Sequence, residues 1–164
     1  MKEMEFEKLL GKSISFVENT IDRDFENKIF GNKVFYIKDN SISKFYFGMI
    51  YNHISLETNE NDLVHSVTIN FQGMLDRDFY DNFNVAYGKP QHIQIIENRQ
   101  LENETFIRDE NGNITQHLKK STFDLREGTF EEQPLWIIWR KEGFEIKAFL
   151  RHKNNRSEIT FKKL

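Results

Sequence analysis

Histidine is the side chain best suited to proton transfer near neutral pH, and this chain has five, at His53, His65, His92, His117 and His152. No two are four residues apart, so none forms the helical pair that grips a zinc ion. Asp76, Asp78 and Asp81 resemble the opening of a calcium loop, but the central glycine and closing glutamate are missing. They read instead as carboxylates near a helix start, where the dipole favours them. Cysteine is absent, which removes disulfides, thiol nucleophiles and thiolate metal sites. No Gly-x-Ser-x-Gly elbow and no glycine-rich phosphate loop occurs. No catalytic residue, metal or cofactor is assigned, and the balance leans away from an enzyme. His65 is the exception to weigh. It falls among Leu63, Val67, Ile69 and Phe71 on the apolar side of a strand. A carboxylate beside it in a cleft would make it a candidate general base.

The elements that would position these groups follow from periodicity. Leu75, Phe79, Phe83 and Ala86/Tyr87 recur on one face at 3.6 residues per turn, which predicts a main helix over about 74–87. Gly88 and Pro90 end it. Lys2 to Leu10 reads as a short N-terminal helix stopped by Gly11. Ser13 to Phe30 is ambiguous, with Phe25 and Ile29 suggesting a helical turn. Strands are expected at Lys33–Ile37, with a turn at Asp39-Asn40-Ser41, and at Ser43–Glu57, with a bulge at Asn52-His53 where the apolar parity changes. Leu63–Phe71 and Gln91–Glu97 follow. Thr105–Arg108 and Ile114–Leu118 flank Asn111-Gly112, a type I′ hairpin signal, and this hairpin is expected to project. Thr122–Leu125 adds a short strand. A meander closes the chain at Leu135–Arg140, Phe144–Arg151 and Ser157–Lys163. The order predicts one α+β domain over residues 1–164. Its single antiparallel sheet would have about six or seven strands, with the helices on one face. Asp22-Arg23-Asp24-Phe25 recurs as Asp76-Arg77-Asp78-Phe79, but the surrounding intervals differ and the match reads as coincidence.

Composition narrows the function. The chain has 164 residues, 38% hydrophobic and 30% charged, as expected of a folded domain. No apolar run reaches the 18 residues of a membrane span, and the charged N-terminus lacks a signal-peptide core, so a cytoplasmic location is expected. The net charge of −3 makes nucleic acid an unlikely partner class. That charge is uneven: residues 1–138 carry 15 Lys and Arg against 23 Asp and Glu, and residues 139–164 carry 8 against 3. The basic residues Arg140, Lys141, Arg151, His152, Lys153 and Arg156 fall at the meander turns. Sixteen phenylalanines imply extensive aromatic burial. Trp136 and Trp139 have opposite parity in one strand, so one should enter the core and the other face outward.

Tyr87-Gly88-Lys89-Pro90 closing a helix, followed later by Trp136-x-x-Trp139 and a strand meander, resembles a layout found in small uncharacterised bacterial α+β domains. Some of these resemble immunity proteins that neutralise secreted toxins. The resemblance implies a non-enzymatic cytoplasmic binder and no particular site residue. The residues themselves point to a protein partner with a basic surface, met by Glu102, Glu104, Asp109 and Glu110 of the polar hairpin. His65 and Trp139 are further candidates. The alternative is a small-ligand or lipid-binding domain with a Phe-rich pocket between helix and sheet.

Overall fold

The structure, a computed structural model, describes residues 3–30, 32–37 and 44–164, with the side chains of 27–30, 32–33 and 37 left aside. The expected turn at Asp39-Asn40-Ser41 lies outside the described residues. Among those described, ten strands form one antiparallel sheet: β1 (Phe25–Phe30), β2 (Asn32–Ile37), β3 (Lys44–Tyr46), β4 (Met49–Thr58), β5 (Val64–Phe71), β6 (His92–Arg108), β7 (Ile114–Glu127), β8 (Trp136–Lys141), β9 (Phe144–Arg151) and β10 (Arg156–Lys163). The order is β1-β2-β4-β5-β10-β9-β8-β6-β7, with β3 paired to β4. Two α-helices accompany them, α1 (Ile14–Ile21) and α2 (Arg77–Tyr87). The fold is therefore mainly β, and the expected α+β domain of six or seven strands is corrected.

The corrections have local causes. Ser43–Glu57 is not one strand. Phe47 and Gly48 both take positive φ, 47° and 84°, and turn β3 back onto β4 with Tyr46 opposite Met49. Positive φ at both central residues is the type I′ requirement. Phenylalanine is a rare choice there, but its ring packs on Phe79 and Phe83 at 5.7 and 5.3 Å. Phe25 and Ile29 belong to β1, not to a helical turn. The helix in that region is α1, which Ser13 caps by accepting from the Phe16 amide. The N-terminal helix shrinks to one 3-10 turn, Phe6–Leu9. The two Asp-Arg-Asp-Phe copies do different things: Asp22 ends α1 in the left-handed region, whereas Asp76 caps the start of α2.

Other expectations hold. The main helix begins at Arg77, with Phe79 N donating to the Asp76 carboxylate at 2.8 Å. Phe79 and Phe83 are buried, although Ala86 is exposed. Opposite Phe71 and Asn70, β4 supplies Tyr51 and His53, leaving Asn52 as the extra residue of a bulge. Trp139 is buried and Trp136 half-buried on the other face.

Topology places the core. After β5 and α2 the chain crosses to the far side, runs out and back as β6 and β7, and returns through β8, β9 and β10. The last strand closes on β5, pairing Val67 with Phe161 and Ile69 with Ile159. All four are fully buried. α1, α2 and the 3-10 turn contribute Val17, Ile21, Phe79, Phe83, Phe6 and Leu9 to the same core cluster. Phe83 is its hub. Its ring stacks on Phe79 at 5.4 Å and meets Trp139 edge-on at 4.9 Å. The indole N–H donates to Asn84 Oδ1 and the Gly88 carbonyl at 3.0 and 3.1 Å, tying the end of α2 to β8. Gly88 sits at φ 76°, a conformation that penalises any Cβ.

Phe83→Ala is expected to lower the unfolding free energy by about 3–5 kcal/mol, the usual result of emptying a buried aromatic site. Denaturant unfolding followed by Trp139 fluorescence measures it.

Candidate functional site

The feature that stands apart from this core is the β6–β7 hairpin. β6 pairs with β8 at only three positions, His92–Ile138, Ile93–Ile137 and Gln94–Trp136. Among the described residues β7 pairs with β6 alone. Ile95 is buried. From residue 97 outward, both strands of the ribbon are exposed apart from half-buried Arg126 at the root. Twelve residues separate Glu97 from the Asp109 turn, so the arm reaches about 40 Å at ~3.3 Å per residue.

The root is braced. Arg126 donates from Nε to Glu97 at 2.5 Å and from Nη2 to Glu132 at 2.7 Å. Glu132 also caps the 3-10 turn Phe130–Glu132 through the Thr129 amide. These contacts hold the Glu132 carboxyl below the usual range, the Arg126 guanidinium being the first cause. Glu127 accepts from His92 Nδ1 at 2.8 Å and from the Ile93 amide at 3.1 Å, and its carboxyl is likewise lowered, chiefly by His92. Gly128 leaves room for this packing: a Cβ there would lie 2.4 Å from Ile95.

Along the arm the carboxylates are engaged with their own ribbon. Glu102 pairs with Lys120 at 3.0 Å. Glu104 meets His117 and, at 3.4 Å, Lys119; the His117 bond is the main reason its carboxyl is lowered. Asp109 accepts from the amides of Asn111 and Asn113 at 2.9 and 2.8 Å and from the Asn113 side chain at 3.1 Å. Asn113 is the first cause of its lowered carboxyl. The loop spans 109–113 and only Gly112 takes positive φ there, so the predicted type I′ turn is replaced by an Asp-closed loop. Glu110 is exposed at the tip. Of the expected acidic face, Glu102 and Glu104 are thus charge-paired in place.

The register reveals what the sequence reading missed. Cross-strand partners share a side and alternate along β7. Leu125, Phe123, Ser121, Lys119 and His117 therefore lie on one side, opposite Ile96, Leu101, Glu104 and Phe106. Ile114, opposite Arg108, ends the arm. This side continues the outer face of the sheet, where Trp136 faces Phe149 and Lys147 lies 4.1 Å above the Trp136 ring. The opposite side is polar apart from Leu118 and Ile107 toward the tip. Three bulges interrupt the ladder, after Glu97, after Leu101 and before Arg108. They hid the two-residue alternation that would have marked the stripe.

The remaining candidates lie elsewhere. Glu57 pairs with Ser66 and Thr58 with Val64, so His65 is the extra residue of a second β4–β5 bulge. Val64 takes the core slot instead, which corrects the placement of His65 on the apolar face. Among the described residues no carboxylate is hydrogen-bonded to His65. Trp139 is 1% exposed and cannot meet a partner directly. The basic meander residues divide between opposite sheet ends, Arg140 and Lys141 at one, Arg151 to Arg156 at the other. The space between α2 and the sheet is filled by aromatic rings. The depressions near it are open and superficial, such as one of about 590 Å3 beside Phe47, Asp76 and Ala86. Among the described residues no group of three or more histidines and carboxylates is placed to hold a metal, and no helix is long and apolar enough to cross a membrane.

Glu104, Asp109, Glu127 and Glu132 all have lowered carboxyls. Their folded pKa lies below the unfolded one, so their contribution is full above the ordinary carboxylate range and is lost as pH falls through the lowered values. Amide exchange of the arm, corrected for intrinsic rate, should therefore accelerate below about pH 4 before the core opens. Asp109→Ala should accelerate exchange at 105–118 even at neutral pH. Hydrogen exchange read by mass spectrometry checks both. No family model, curated protein or solved structure matches this chain, so function is read from the geometry above.

Proposed function

We propose that this protein is a non-enzymatic protein-binding domain and that the β6–β7 arm is its binding element. The observation that carries the reading is the arm itself: a ribbon about 40 Å long that lies outside the core and exposes Leu101, Phe106 and Ile114 at 46–56%. A two-stranded ribbon is marginal in water by itself, and a line of exposed apolar side chains marks an interaction surface. A protein partner supplies both cover and further contacts. The cross-strand pairing of Glu102 and Glu104 with β7 moves recognition from their charge to this apolar line. An immunity-type inhibitor, which acts by covering another protein, is a protein of this kind, with the arm doing the covering.

Glu97 and Asp124 are directly opposed, so an Asn-Gly turn can replace residues 98–123 without moving the root. The shortened chain is expected to keep its cooperative unfolding. A photo-crosslinking residue at Leu101, used in the cell that makes the protein, should yield discrete protein adducts, and one at Glu60, exposed on the β4–β5 turn, should not. Absence of any adduct from several arm positions would overturn the proposal.

A further inference from the structure

The stripe on the arm has an order. At the root it is apolar, with Ile96, Leu125, Phe123 and Leu101. At mid-length come Glu104 and Lys119, opposed and 3.4 Å apart. Toward the tip come Phe106, stacked on His117 at 4.3 Å, and then Ile114 opposite Arg108. Cross-strand partners share this side, so two such stripes laid face to face about a twofold axis along the ribbon set each β6 residue of one over the opposed β7 position of the other. Apolar blocks then meet apolar blocks, and the mid-arm Glu104 of one faces the Lys119 of the other. A twofold interface demands this self-complementarity, residue i meeting j while j meets i.

We infer, building on the arm's role in binding, that its first partner is a second copy of this chain, packed face to face through this stripe. Area agrees. Five stripe side chains exposed at 37–56% leave on the order of 500 Å2 of apolar surface, near the largest patch a monomer tolerates. Two copies cover about twice that, and their polar flanks bring the total toward the ~1,600 Å2 of a stable interface. Charge agrees as well. The ribbon 92–127 carries seven carboxylates and five Lys and Arg. On the stripe, Glu104 opposes Lys119, Arg99 lies over Phe123, and Arg108, opposite Ile114, donates to the Gly112 carbonyl. About a twofold axis along the ribbon each of these cations faces a carboxylate or an apolar residue of the other copy, so no like charges are directly opposed. Edge-to-edge pairing is the other route to a dimer, and the arm resists it. Its three bulges and its lysines break the flat edge that strand addition needs. The face remains.

Sedimentation equilibrium from about 1 to 100 µM tests this on the full chain. The expected result is a species of twice the 19.7 kDa chain mass. Phe123→Glu, on the stripe, should weaken association by about 100-fold or more, as loss of a central aromatic anchor does. Leu118→Glu, on the opposite side, should leave it unchanged. Thermal unfolding confirms that both variants keep their core. A dimer that both substitutions spare, or both abolish, overturns the stripe as interface. A wild-type monomer at 100 µM overturns self-association outright. In that case a Leu101 crosslink to a different protein leaves the arm as a binding element, and no crosslink removes that reading too.

Discussion

The ladder between β5 and β10 holds the domain together. It joins residues 92 apart in sequence, with the Thr68 and Thr160 hydroxyls 2.8 Å apart on the outer side and Val67, Phe161, Ile69 and Ile159 on the inner. Everything between these strands, including α2, the arm and the rest of the meander, is a loop whose ends this ladder closes. Such closure is entropically unfavourable, and four fully buried side chains at its centre offset it. Without it, β1 to β5 would form a sheet with α2 covering only part of it. The aromatic cluster around Phe83 would lose Trp139, Phe161 and the wall that β8 to β10 provide.

What was legible in the sequence was what obeyed one period. The meander β8 to β10 alternates cleanly because one face is buried against helices and the other is wet. α2 shows its stripe, cap and stop. Asn52 announced its bulge by a change of parity. The second bulge at His65 was silent. Val64 and Val67 are both apolar, so the strand reads equally well with or without the extra residue. The Phe47-Gly48 turn was hidden for a different reason. Turn chemistry favours asparagine or glycine at positive φ, and here ring packing in the core overrides that preference. α1 and β1 were obscured because eight helical residues and six strand residues follow each other within one short, mixed segment.

The arm was half legible. Its projection was foreseen from Asn111-Gly112 and from polarity, but its length was not. Exposed ribbons select residues for pairing across the strands, so Glu102–Lys120 and Glu104–Lys119 appear in the sequence as scattered charge. Reading those carboxylates as a free acidic surface was reasonable one strand at a time. Register shows them neutralised and brings Leu101, Phe123 and Leu125 to one side instead. No local pattern could reveal that, because three bulges reset the alternation.

The braced root turns the arm into a lever. Arg126 between Glu97 and Glu132 sets its angle on the sheet, while the tip lies about 40 Å away. At that length a rotation of only ~10° at the root sweeps the tip through about 7 Å, from the same strand geometry. The reverse also holds. A load at Asn111 or Phe106 acts with long mechanical advantage on the Arg126 pairs and on Gln94 opposite Trp136. Two carboxylates on one guanidinium thus decide where the far end of the molecule points.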